Sequence, residues 1–481
     1  MISLSRTIFT PSLRTDTLAY MSALRTRSRP GPHDRTPEQN QRSNTALLLG
    51  IILAVGFVMR LGFAFSAGNE YDIGVNQGWA HSAAELGIVR SYQAQVDGTM
   101  LPNYPPLSIM VFAVTGHAYR LLVSHTYDVH LPAYRLAIKL PAIIADIASC
   151  VLLFFLFRRL RGRHWGLAAA LIYALHPVVI YDSAVWGQTD SLYTLALLIT
   201  FLGAAHNRWW ICGLSLAAAF LLKAQTIALV PLIGILAMAN DRRFMQFLLG
   251  GSLMMCAILL PFAVENRLMN IVDVYHSSIG TFPNLSKGAA NLWLSLYGSK
   301  ADMADTGFFF RVISYRGIGF LLFGIATVFC LVVLPRSLWK SVAWSRSRAM
   351  SLFLAGSVES YAFFFFNTEM HERYLFPFLA LGLPLVLTGP SGIVLYLLIS
   401  VLFLGNLLWI LPFSTADRAL FTEFPGLPQG IATLHLCAFI LLCAHVWRTI
   451  QRSIPQEERP SCARLCASFA AMYRARRPSA Q

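Results

Sequence analysis

The chain has 481 residues, 56% apolar and only 13% charged, with a mean hydropathy of +0.57. A soluble protein of this length carries about twice that share of charge, so a soluble enzyme or binding module is excluded. The net charge of +15 is concentrated at the two ends and in short loops, which suits membrane orientation and anionic lipid heads rather than nucleic acid.

The first 44 residues carry seven Arg and no long apolar run. They are too polar for a signal-peptide core and lack a cleavage site, so they read as a retained, disordered, cytoplasmic tail. Apolar runs near the roughly 20 residues that cross a bilayer then follow at 45–66, 105–123, 139–157, 166–182, 189–205, 209–223, 226–239, 245–263, 313–334, 350–367, 374–388, 391–411 and 430–447. Residues 448–481 form a second basic tail with seven more Arg. The eight Cys lie in apolar runs or in this tail (Cys462, Cys466), with neither disulfide nor zinc spacing. The fold class is an all-α polytopic integral membrane protein.

Orientation follows from the basic segments. Both tails, Arg158 to Arg163, Arg242-Arg243 and the 336–348 loop all belong in the cytoplasm. If every run crossed, Arg158 to Arg163 and Arg242-Arg243 would fall outside. One run between residues 66 and 139 therefore does not cross. The best candidate is 105–123, which opens on Pro105-Pro106 and carries His117 and Arg120 near its end. About 12 (11–13) spans remain, with both termini inside and two large outer loops, 67–138 and 264–312. The weak point is 209–239, short for two crossings at about 1.5 Å per residue.

With that parity four polar stretches meet on the outer face: the Asp72 loop, Trp186 to Asp190, the 264–312 loop and Met370 to Tyr374. Ionisable groups gathered on one side suggest a shared cavity. Glu70, His81, Glu85 and Asp97 read as solvated interfacial groups. Asp72 stands apart. It follows Tyr71, opens a segment that reads as a helix lying along the membrane with Val75, Trp79 and Leu86 toward lipid, and precedes the rigid Pro-Pro turn. That setting holds a carboxylate at the membrane surface, where a general base for a lipid-borne substrate is needed.

Several motifs carry a family resemblance. They are Tyr71-Asp72, Asn103-Tyr104-Pro105-Pro106-Leu107, Lys139-Leu-Pro-Ala-Ile-Ile-Ala-Asp146, Trp186-Gly-Gln-Thr-Asp190, Phe282-Pro-Asn-Leu-Ser-Lys-Gly-Ala-Ala-Asn-Leu-Trp293 and Met370-His-Glu-Arg-Tyr374. In this order, over roughly residues 45–380, the chain resembles GT-C glycosyltransferases that use polyprenyl-phosphate sugars. It is most similar to bacterial proteins related to GPI-anchor mannosyltransferases, and more distantly to dolichyl-phosphate-glucose glucosyltransferases. The resemblance implies a transmembrane catalytic domain (45–447) with an extracytoplasmic active site and inverting transfer of a hexose, mannose or glucose. The donor is a polyprenyl-phosphate sugar and the acceptor a lipid or glycan.

In that family the first-loop Asp, here Asp72, is the base. The leaving polyprenyl phosphate is stable as an anion, so cationic or hydrogen-bonding groups hold it. Lys139, at the start of its helix, takes that place, with Arg135 as second choice and snorkelling as the bland alternative. Arg373 is another phosphate candidate, and His371 bonds phosphate or sugar; a plain helix start with a local Glu–Arg pair is the alternative. Gln188 and Asp190 either bond sugar hydroxyls or cap the next helix, with Asp190 as the cap. Tyr104, Asn291 and Trp293 offer stacking and amide contacts to sugar or acceptor, or belong to a packed lid. Asp146, mid-helix, calls for a structural partner; Lys223 pairs with a carboxylate or lines the cavity, and Arg60 snorkels. No cofactor is expected, and a lone Asp72 without a D-x-D partner argues against a metal. The competing class is a transporter or flippase, against which no inverted repeat is visible; a non-catalytic scaffold is a third reading. The basic tails and absent disulfides suit a bacterial inner membrane with a periplasmic site.

Overall fold

A computed structural model describes residues 37–96, 98, 100–309, 311–339 and 344–453. Most of the two basic tails, Asp97, Cys462 and Cys466 lie outside the described residues. Two units are distinguished, Met1–Ile51 and Ile52–Gln481, and the site lies wholly within the second.

Each apolar run of the sequence is a helix, because in a dry environment the backbone must satisfy its own hydrogen bonds. Seven are long and apolar enough to cross a bilayer: Ser43–Ala64, Pro132–Arg161, Asp241–Val264, Tyr315–Val333, Arg346–Phe366, Pro390–Ile410 and Leu427–Arg452. The pair Arg163–Ala174 and Pro177–Trp186 adds an eighth if its two halves, bent by 46°, are one span. The bend has a local cause, since Pro177 removes an N–H and disfavours helical geometry at His176. Asp190–Ala205, Trp209–Leu222, Ala224–Met238 and Pro377–Thr388 are shorter apolar helices. Between the second and third of these, extended backbone at Lys223 and a 3-10 turn over Ala224–Leu229 break the run that looked short for two crossings.

The membrane interior also carries a buried ion pair. Arg60 and Asp146 are both fully buried and 2.9 Å apart. Ser183 and Ser191 each donate to Asp146 at 2.6 Å. Arg60 also donates to the carbonyls of Gly56 and Ala174. A charge left alone at this depth would cost several kcal/mol; here the cluster ties four helices together, the bent pair counted as one. Arg60 therefore does not snorkel, and Asp146 has its structural partner.

At the end of the bundle that carries Asp72, helix Glu70–Leu86 packs on Pro106–Leu122. The two backbones meet at Gly116, where a Cβ would lie 2.4 Å from the Ala80 carbonyl oxygen. Any other residue would push them apart. The expectation that Trp79 faces lipid is corrected. Trp79 is buried, donates its indole N–H to the Met100 carbonyl at 2.9 Å, and packs against Tyr104 and Phe112. Burying a large ring whose N–H has a partner stabilises more than leaving it at the interface. The 264–312 segment holds helices Leu268–Ser277 and Leu292–Tyr297. At its end begins a two-stranded hairpin, Phe308–Phe309 with Ile313–Ser314, that the apolar pattern did not announce.

Candidate active site

The four polar stretches do converge, on one cavity of about 690 Å³. Asp72 stands on one wall. Asn69 caps its helix, accepting the Asp72 N–H at 3.1 Å, and the Asn69 N–H reaches the Trp186 carbonyl at 3.3 Å. The first loop is thereby laid against the Trp186–Asp190 turn. That turn exists because the bent helix ends in a π-turn, Tyr181–Trp186, closed by Gly187 at φ 90°, a conformation that favours glycine. The turn points Trp186 and Gln188 at the carboxylate. Both donate to Asp72 Oδ2, the indole at 2.8 Å and the amide at 2.7 Å. No described residue bonds to Oδ1, so the half-buried carboxylate keeps one oxygen free toward the cavity.

The facing wall is the turn Met370–Tyr374. It is no helix start: Glu369 sits at φ 60° and the chain runs on as turn and bridge. The Lys287 N–H donates to the Met370 carbonyl at 2.9 Å, and the His371 backbone bridges to Lys287 and Gly288. The His371 ring meets Phe282 and Tyr374, both at 5.2 Å. Burial lowers the His371 pKa despite the carboxylates of Glu372 and Asp72, which favours a neutral hydrogen-bonding ring at pH 7. Glu372 accepts from Arg373 at 2.7 Å. Burial opposes its charge, but Arg373 and His371 outweigh this and hold its pKa at about 2. The expected local Glu–Arg pair is thus real, yet it stands in the cavity wall. Behind it Arg373 Nε lies 3.8 Å from Asp190, and Asp190 pairs with Lys223 at 2.9 Å. Lys223 sits over the Tyr104 ring at 5.3 Å.

Of the residues the sequence singled out, Asp72, Gln188, Tyr104, His371 and Arg373 line this cavity. Asp190 lies behind it, neither capping its helix through its side chain nor facing the space; Thr189 holds the cap position. Asn291 caps the short helix and donates to the Asn367 carbonyl. Trp293 is buried against Tyr315 with its N–H on Phe366. Neither lines the cavity.

Lys139 is placed differently from expectation. Its helix begins at Pro132, not at Lys139, and Lys139 is fully buried. Its ammonium donates to the carbonyls of Ser66, Ala184 and Val185 at 2.9, 2.9 and 3.0 Å. Those carbonyls end two other helical segments, where the dipole is negative and acceptors lack partners. With its three donors so engaged, the ammonium holds helix ends together. Arg135, half-buried one turn earlier, does not line the cavity.

Lys287 was not singled out, although it lies inside the 282–293 motif. Its ammonium is exposed at the cavity, 5.3 Å from the Phe282 ring centre. A smaller cavity of about 200 Å³ adjoins the first, sharing Tyr104, Phe282, His371 and Tyr374, and is also lined by Lys223, Gln225, Ile227, Arg316 and Phe320. Among the described residues no three or more His, Cys, Asp or Glu side chains gather as metal ligands would.

A membrane helical bundle with a loop carboxylate and a cationic turn on one cavity is the arrangement that the resemblance to GT-C glycosyltransferases implies. The comparison with protein families agrees. Residues 133–264 match the dolichyl-phosphate-mannose-protein mannosyltransferase family, a mannosyltransferase family within GT-C. The matched stretch includes Gln188, Asp190 and Lys223 but not Asp72 or the 370–374 turn. No curated protein matches the chain.

Proposed function

We propose that the protein is an inverting hexosyltransferase that moves mannose or glucose from a polyprenyl-phosphate donor to a lipid or glycan acceptor on the extracytoplasmic face. The observation that carries this reading is that Asp72 and the His371–Arg373 turn face one cavity. An inverting displacement needs a base on one side of the anomeric carbon and an anion-holding group on the other.

In this reading the acceptor hydroxyl lies against Asp72 Oδ1. Its proton passes to that oxygen as the acceptor oxygen bonds to the anomeric carbon. The bond from that carbon to the phosphate oxygen breaks, and the leaving polyprenyl phosphate takes the electron pair. Arg373, Lys287 and His371 hold that anion, while Gln188 and Tyr104 orient the sugar. The smaller cavity, with its apolar Ile227 and Phe320, suits the first part of the donor's chain. We further infer twelve crossings, counting the bent pair and the four shorter apolar helices with the seven long ones, and a bacterial inner-membrane location with a periplasmic site. The test is transfer by the purified protein in vesicles, comparing polyprenyl-phosphate mannose, polyprenyl-phosphate glucose and their nucleotide sugars. Transfer from a lipid-phosphate hexose alone supports the reading; use of the nucleotide sugars, or no transfer from any donor, counts against it.

A further inference from the structure

Three segments of the chain meet at Arg316, the second residue of helix Tyr315–Val333. Its guanidinium makes a fork to Asp305, Nε to Oδ2 at 2.8 Å and Nη2 to Oδ1 at 2.9 Å. Nη2 also lies 2.7 Å from Glu369. Asp305 is fully buried and accepts the Thr368 hydroxyl at 2.6 Å. Its own N–H donates to the Pro283 carbonyl at 2.9 Å. Glu369 in turn accepts the Gly280 N–H at 2.8 and 2.9 Å and the Phe282 N–H at 3.3 Å.

Glu369 holds φ 60°, a conformation that strains a non-glycine residue and persists only where its surroundings enforce it. Two residues on comes His371; two residues beyond Gly280 comes Phe282, and then Lys287. The strained turn that presents His371 and the loop that presents Phe282 and Lys287 are thus fastened to each other through one side chain, which lies outside the main cavity and borders the smaller one.

We propose that Arg316 is a positioning residue, which through Asp305 and Glu369 fixes the spacing between Lys287 and the His371–Arg373 turn. This rests on the reading that these groups hold the donor phosphate. Asp72 stands on the other wall, held by Trp186 and Gln188, and is untouched by the clasp. Cutting the clasp therefore weakens donor binding more than turnover. Bidentate geometry is what arginine supplies and lysine cannot, so Arg316→Lys restores only part of it.

The experiment uses the full-length protein in vesicles with polyprenyl-phosphate hexose, plus a readout that needs no activity. Arg316→Ala raises KM for the donor by about 10- to 100-fold, the size of a small misplacement of binding groups, with kcat changed less; Arg316→Lys lies between. A merely structural role would lower the amount of folded protein and leave KM alone. Independently, Ser286, buried in the cavity wall, is replaced by Cys in a protein otherwise free of Cys, and Arg316→Ala makes it react several-fold faster with a soluble maleimide. If donor KM and labelling rate are both unmoved by Arg316→Ala, the clasp is overturned. If labelling rises but no donor is used even by the unaltered protein, the clasp stands and the proposed activity falls.

Discussion

The indole of Trp186 donates to Asp72 Oδ2 at 2.8 Å, and with the Asn69 N–H on the Trp186 carbonyl it joins the end of the bent helix to the first loop. With Gln188 on the same oxygen, it orients the carboxylate and leaves Oδ1 for the acceptor. Trp186→Phe keeps an aromatic ring in the buried position but removes the donor N–H together with part of the indole. A hydrogen bond to a charged group is worth about 1.5–3 kcal/mol, so kcat/KM falls by about tenfold or somewhat more while folded protein is retained. An unchanged kcat/KM would mean that the bond does not position the base.

Lys287 is exposed, so its removal leaves no buried charge behind. Lys287→Ala raises donor KM by about 10- to 100-fold, the loss of one charge-assisted contact, and weakens inhibition by free polyprenyl phosphate to the same degree. If both constants stay put, the phosphate is held without it.

Lys139 carries the opposite expectation. Lys139→Met retains the stem but frees the carbonyls of Ser66 and Ala184 in a dry interior and leaves Val185 only the Ser66 hydroxyl as donor. Each unpaired buried group costs about 1–3 kcal/mol, so the melting temperature in detergent drops clearly. Donor KM of the surviving protein is unchanged. A normal melting temperature with a raised KM would return Lys139 to the phosphate.

Glu372 predicts a pH dependence. Its folded pKa of about 2 lies below the ordinary 4.5, so ionised Glu372 stabilises the folded state. That contribution is complete above about pH 4.5 and is lost as pH falls toward 2. The stability gap between the protein and Glu372→Gln, followed by melting, therefore stays flat from pH 7 to 5 and narrows below. A gap that widened on acidification would contradict the assignment.

The helices were legible because a bilayer-spanning chain must show long apolar runs, and each run named from the sequence is a helix. The gathering of the Asp72, Trp186–Asp190 and Met370–Tyr374 stretches on one cavity was legible as polar motifs at run ends, whereas the bonds from Trp186 and Gln188 to Asp72 were not. Lys139 and Arg60 misled for one reason. A cation near a run end reads as snorkelling or ligand-binding, whereas its real partners are carbonyls and a carboxylate brought up by helices up to 114 residues away. Trp79 was read toward lipid because a helix beside a membrane has two plausible apolar directions. The choice was made by packing on Pro106–Leu122, which local periodicity does not encode. Lys287 escaped notice because a lone loop lysine carries no pattern of its own.

The central claim is that Asp72 takes the acceptor's proton. Asp72→Asn keeps the oxygen that accepts from Trp186 and Gln188, so folding and donor binding should be nearly unaltered, while the side chain can no longer act as a base. The decisive measurement is the rate of hexose transfer from a polyprenyl-phosphate donor in membranes holding the protein and the Asp72→Asn variant at matched abundance, with exposed Glu70→Gln as control. The account predicts a fall of about 100- to 10,000-fold for Asp72→Asn and little change for Glu70→Gln. Near-normal transfer by Asp72→Asn, or a larger loss at Glu70, would contradict it.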